Sequence, residues 1–137
     1  MEFRLKNDLA EIQLLAEAVE TFGEENDLPV KAIFQVNLAL DELLTNTISY
    51  GYPEGGQHEI LVRVILQQED MLLIEIRDDG FAFNPLENEE PDITKDIDEW
   101  PIGGLGIHLV RQMLDELEYT REHDQNILVM RKCINLS

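Results

Sequence analysis

Apolar and polar positions alternate along most of this chain with one of two periods. Glu2 to Lys6 reads as a short strand, and Asn7 or Asp8 can cap the helix that follows by accepting from its free amides. Leu9, Ile12, Leu15, Ala16 and Val19 fall on one helical face, with Gly23 as the stop and a turn containing Pro29 over 24–30. From Lys31 to Tyr50 the positions Ile33, Val36, Leu40, Leu43, Leu44, Thr47 and Ile48 keep a helical period, which predicts a long helix ended by Gly51-Tyr52-Pro53-Glu54-Gly55-Gly56. Glu59 to Gln67 and Met71 to Asp78 read as strands. In the second, Leu72, Ile74 and Ile76 face one way and Glu75 and Arg77 the other, so the sheet has one covered and one wet face.

From Phe81 to Gly104 neither period survives. Seven acids and a single Lys95 lie between Glu87 and Glu99, with Pro85, Pro91 and Pro101 as breakers. So long a structureless connection predicts a functional lid, about 84–102, or a solvated acidic loop. Gly103-Gly104-Leu105-Gly106 then opens a helix to about Asp115. Leu117 to Glu122 and Asn126 to Lys132 read as a closing hairpin around His123-Asp124-Gln125. The order strand, helix, helix, strand, strand, loop, helix, strand, strand predicts one α/β (α+β) domain over 1–137. It is a two-layer sandwich with helices on one face of a mixed or antiparallel sheet.

Composition narrows the function. The chain has 137 residues, 44% of them apolar, enough for a packed core. Ten Lys and Arg against 29 Asp and Glu leave a net charge of −19, which disfavours direct nucleic-acid or membrane binding and leaves basic protein surfaces as partners. The single Cys133 excludes an internal disulfide, fits a reducing cytoplasm and reads as a small apolar residue in a terminal strand. No apolar stretch follows a basic patch at the N-terminus and none nears membrane-spanning length, so a cytoplasmic protein is expected.

Three clusters carry candidate chemistry. Glu42 and Asn46 stand one turn apart, on a face nearly opposite the apolar stripe. That spacing gives either a solvated polar face or a carboxylate and an amide projecting into a cleft, where the amide oxygen suits a hard cation such as Mg²⁺ and the carboxylate a proton. Asp78-Asp79-Gly80 ends a strand. It is either a simple turn or an acceptor for an exocyclic amine, with Gly80 letting backbone approach a flat ring. Gly103-Gly104-Leu105-Gly106-Ile107 is either a flexible lead-in to a helix or an anion site at its free amides. It lacks the third glycine of a dinucleotide-binding fingerprint and the Gly-Lys-Ser/Thr of a Walker A loop.

The order of the three is more telling than any one. Helical Glu-x-x-x-Asn, strand-end Asp-x-Gly, a long lid and a Gly-x-Gly helix start resemble the Bergerat-fold (GHKL) ATPases. Within them, GGLGIHLVRQMLDELEY and NILVMRK are most similar to the anti-sigma factor serine/threonine kinases, from about Phe3 to Lys132. The resemblance implies ATP and Mg²⁺ as cofactors, Asn46 as the magnesium ligand, Glu42 as general base and Asp78 as reader of the adenine amine beside Gly80. It implies that Gly103, Gly104 and Gly106 close on the phosphates, with amides and apolar contact from Leu105 and Ile107. Ala82 stands where the family often has a second glycine, and Asn126-Ile127-Leu128 replaces a Gly-x-Thr, so no adenine contact is expected there.

His108 is expected to pack or face solvent, and Asp79 and Asp41 to be solvated. Trp100 either anchors the lid or marks a partner contact. The resemblance further implies a kinase that phosphorylates an anti-anti-sigma (STAS-type) antagonist, sequesters a sigma factor and pairs as a homodimer. The alternatives are a nucleotide-dependent binding switch without kinase activity and an interaction domain that binds no nucleotide.

Overall fold

The computed structural model describes residues 1–68, 70–82, 84 and 104–134. Its elements run β1 (Glu2–Lys6), α1 (Glu11–Glu25), α2 (Val30–Tyr50), β2 (Glu59–Gln67), β3 (Met71–Asp78), α3 (Gly104–Met113), β4 (Glu116–Glu122) and β5 (Gln125–Cys133). The order expected from periodicity therefore holds. The five strands form one sheet, β1-β2-β3-β5-β4, and every neighbouring pair is antiparallel, which settles the mixed-or-antiparallel alternative.

Strict alternation along β3 buries Leu72, Ile74, Ile76 and Asp78 against the helices and turns Glu75 and Arg77 outward. The covered face packs Ile60, Val62, Val64 and Met130 against Val36, Leu40 and Leu44 of α2, Leu15 and Val19 of α1, and Val110 of α3. Burying such side chains contributes about 1.5–3 kcal/mol each, so this single layer of contacts supplies the main driving force for the fold.

Several local expectations change. Asp8 rather than Asn7 leads into α1, accepting the Ala10 amide at 3.0 Å. Asn7 instead ties β1 to the loop before β2, donating to Gly56 O and accepting from the His58 amide. Gly23 does not stop α1, which runs on to Glu25; a Cβ at Gly23 would collide with Ile33 Cδ1, so this glycine lets α1 approach α2 closely. The chain turns instead at Asp27, whose φ is 54°, while Leu28 donates back to Gly23 O at 2.9 Å. The closing hairpin turns on two residues rather than three, His123 and Asp124, with φ of 51° and 61°. Cys133 does end a terminal strand, but it is exposed. Among the described residues no helix is long and apolar enough to cross a membrane.

Candidate functional site

The C-terminal ends of α2 and β3 meet because two glycines let their backbones touch. The Phe81 amide donates to Gly51 O at 2.6 Å. A Cβ at Gly80 would stand 2.7 Å from that same carbonyl oxygen and 3.0 Å from Asp78 Oδ1. Gly80 is thus needed first for the seam with Gly51, before any role beside a ligand ring. We expect Gly80→Ala to destabilise the fold by about 1–3 kcal/mol in chemical denaturation, since rigid backbone rather than a pliant side chain must yield.

Beside this seam lies a cavity of about 30 Å³, lined by Leu43, Asn46, Thr47, Gly51, Ile76, Asp78, Phe81, Tyr119, Asn126 and Leu128. Two of the expected site residues, Asn46 and Asp78, therefore meet in one place although 32 positions separate them. Asn46 is half-buried, not on a fully solvated face, and its carboxamide has no hydrogen-bond partner among the described residues. The amide oxygen is thus open to a hard cation. Glu42, one turn earlier on α2, is half-buried and does not line the cavity itself. Burial raises its carboxyl above the usual range, and neighbouring Asp41 adds to the effect.

Asp78 is 6% exposed, a carboxylate held almost entirely out of water. Its Oδ1 accepts from the Gly80 amide and from Asn126 Nδ2, both at 2.9 Å. With Oδ1 doubly occupied, Oδ2 is the acceptor left for a ligand donor. Burial raises the Asp78 pKa, while the bonds from Asn126 and Gly80 pull it back and Arg121 helps to hold the charge.

Asn126 is itself fixed. Its Oδ1 accepts from the Tyr119 hydroxyl and from Arg121 Nη1 at 3.1 Å, and its Nδ2 also donates to Phe81 O at 2.9 Å. Arg121 Nη1 reaches Gly80 O at 2.8 Å as well. The three side chains form a polar brace behind Asp78. Periodicity and motif alone assign no role to Asn126, Tyr119 or Arg121. Their signal was the hairpin register, in which Arg121 faces Asn126 and Tyr119 faces Leu128.

Gly104 to Gly106 open α3, whose first turn presents free amides of the kind that bind anions. Ile107 is buried in the core, which leaves its amide rather than its side chain for a phosphate. Gly103 and, Asn84 apart, the expected lid over 84–102 with Trp100 lie outside the described residues. Lys132 Nζ donates to Met113 O at 2.9 Å and so ties the C-terminal end of α3 to β5. Asp79 is exposed as expected, yet it is not merely solvated: its carboxylate meets His58 Nδ1 at 3.1 Å, and His58 stacks on Tyr52 with ring centroids 4.5 Å apart. His108 is half-buried, with Nε2 3.1 Å from Gln112 Nε2.

Residues 5–132 match the model of the histidine kinase-like ATPase domain family. The chain is 29% identical over 98 residues to the serine/threonine-protein kinase BtrW of Bordetella bronchiseptica, spanning 71% of this chain and 68% of that protein. It is 28% identical over 110 residues to the serine-protein kinase RsbW of Listeria monocytogenes, 77% of this chain and 68% of that one. With the anti-sigma F factor of Clostridium acetobutylicum it shares 26% over 121 residues, 83% and 78% of the two chains. Among solved structures, the blue-light activated histidine kinase of Erythrobacter litoralis superposes with a TM-score of 0.61 at 19% identity. The match covers 91% of this chain and 41% of that kinase, so this chain corresponds to less than half of it, and the likeness is one of fold.

Proposed function

Because the chain belongs to the histidine kinase-like ATPase domain family, we propose that it binds Mg-ATP between α2 and α3 and transfers the γ-phosphoryl group to a protein serine or threonine. The observation that carries this reading is the meeting of Asn46 and Asp78 at one cavity, one offering an amide oxygen and the other a buried acceptor. Asp78 Oδ2 accepts from the adenine amine, and a guanine, with a carbonyl at that position, leaves it unmatched.

The cavity, at about 30 Å³, is far smaller than the roughly 300 Å³ or more of a small-molecule site, so a purine needs its rim to open. Phe81, 64% exposed, stands at that rim. The triphosphate then runs toward the amides of Gly104 and Gly106, and Asn46 Oδ1 holds magnesium. When bound, magnesium offsets triphosphate charge that a chain of −19 would otherwise repel.

Glu42 accepts the proton of the incoming hydroxyl. The hydroxyl oxygen bonds to the γ-phosphorus as the bond to the bridging oxygen breaks, leaving phosphoserine and ADP. The relatives named anti-sigma factor and serine-protein kinase support the finer reading that the chain acts on a sigma factor and phosphorylates a protein serine. In this proposal the phosphoacceptor is an anti-anti-sigma antagonist of the STAS type, and the chain sequesters the sigma factor as a homodimer in the cytoplasm.

Calorimetric titration with Mg-ATP and incubation with γ-labelled ATP and a STAS-type antagonist test the two halves of the reading. We expect binding that weakens at least about tenfold on removing magnesium or in Asn46→Ala, and labelled serine on the antagonist. Absence of binding would overturn the nucleotide site. Binding without transfer would leave a nucleotide-dependent switch that sequesters its partner.

A further inference from the structure

A second recess lies away from the nucleotide cavity, between α1 and α2. It measures about 280 Å³ and is lined in part by Ile12, Ala16, Phe34, Asn37, Leu38 and Asp41. Val30, Phe34 and Leu38 stand four residues apart on α2, so they form one row along the helix. They are 82%, 64% and 38% exposed, an apolar ridge on a face the core does not use. Asn37 lies in the floor. Its Nδ2 donates to Ala16 O at 3.3 Å, which fixes the amide's orientation, and its Oδ1 is shielded from solvent and has no partner among the described residues. An uncovered apolar ridge beside a recess of this size gives the face the makings of a surface completed by another molecule.

Charge selects the occupant. Between residues 11 and 50 there are eight Asp and Glu and a single cation, Lys31, and Asp41 sits in the groove wall. A second copy of the chain meeting this face with its own would bring acid against acid. The chain as a whole is also short of cations, with ten against 29 acids. A cationic partner gains on both counts.

We propose that the α1–α2 groove docks an amphipathic, lysine- or arginine-flanked helix of a different protein. Its apolar side chains lie over Phe34 and Leu38, and its basic side chains face Asp41 in the groove wall. This is the helix-in-groove mode of recognition, in which side chains at i, i+4 and i+7 supply the anchors. The surface is separate from the nucleotide cavity and does not depend on phosphoryl transfer.

The probe is a synthetic helical peptide with leucines on one face and lysines on the other, added to the full chain saturated with Mg-ATP. Its scrambled isomer and a version with glutamates for lysines are the controls. Amide chemical shifts report the site and fluorescence anisotropy the affinity. We expect shifts centred on Ala16, Phe34, Asn37 and Leu38, and binding about tenfold or more weaker for both control peptides. Phe34→Asp and Val30→Asp, both at exposed positions, should each weaken the lysine peptide with nucleotide affinity unchanged, Phe34→Asp by about tenfold or more. Equal binding of the scrambled peptide, shifts confined to other regions, or no effect of Phe34→Asp would overturn the proposal. So would a dimer in sedimentation that Phe34→Asp abolishes, since the groove would then serve a second copy.

Discussion

Replacing Glu42 by glutamine should cut transfer of phosphate to serine by about 10²–10⁴-fold, the range a positioned general base contributes, while Mg-ATP affinity stays unchanged. Glutamine keeps the shape of the side chain and loses only its capacity to take a proton. Glu42 is half-buried one turn below Asn46 and does not line the cavity proposed to hold the base, so on this reading its loss leaves the base contacts intact. Burial and Asp41 both raise its pKa, which brings a carboxylate closer to the working range of a base at neutral pH. The sign for pH follows. Protonated Glu42 cannot accept from the hydroxyl, so transfer falls on acidification, beginning above the ordinary carboxylate range. Rates with γ-labelled ATP across pH, for wild type and Glu42→Gln, measure both effects. Undiminished transfer in the variant would place the base elsewhere.

Asp78→Asn should separate binding from stability. The substitution replaces the free Oδ2 acceptor with an NH₂ donor that faces the adenine amine, donor against donor. A hydrogen bond to a charged group contributes about 1.5–3 kcal/mol, so ATP affinity should fall by roughly 10- to 150-fold. The fold should not suffer with it. Asparagine Oδ1 still accepts from Gly80 and Asn126, and the ionised carboxylate that burial penalises is gone.

The linkage sign agrees. A carboxyl whose pKa is raised in the folded state holds its proton there longer than in the unfolded chain. Its ionisation therefore costs stability as pH rises between the unfolded and the folded value, and that cost is complete above the folded value. The asparagine variant lacks the cost, so at pH 7 it should unfold at equal or higher denaturant than wild type. Calorimetry with ATP and a denaturant series, run side by side, check the pair of outcomes. An unstable variant would show that the carboxylate is chiefly structural.

That Glu42 and Asn46 share one face of α2 was legible, because helical periodicity stacks i and i+4 whatever surrounds the helix. Asp78 was legible because a polar residue closes an apolar alternation just before a glycine. Asn126, Tyr119 and Arg121 were not, and the reason is one residue in a turn. A three-residue connection at His123-Asp124-Gln125 hides the pairing of Arg121 with Asn126; the two-residue turn, with both residues at positive φ, reveals it. Gly23 was misread for a related cause. A glycine late in a helical pattern signals a stop when the sequence is taken alone, whereas here it is the contact point of a second helix. The row Val30, Phe34, Leu38 is not legible in the sequence alone, because a helical core pattern marks the buried stripe and says nothing of what lies off it.

By itself the sequence determined the identity and order of the elements, the covered and wet faces of the sheet, and the stacking of Glu42 and Asn46 on one face of α2. Each depends on the repeat of side chains along a strand or helix, a property of the local chain. Tertiary structure alone decided that β5 lies between β3 and β4, that Asn126 therefore stands opposite Asp78 across the sheet, and that Gly51 and Gly80 touch to bring Asn46 and Asp78 to one cavity. Those contacts join residues 29 to 48 positions apart, and no local period encodes them. They follow from strand register and from how closely two backbones pack, which the whole core sets at once.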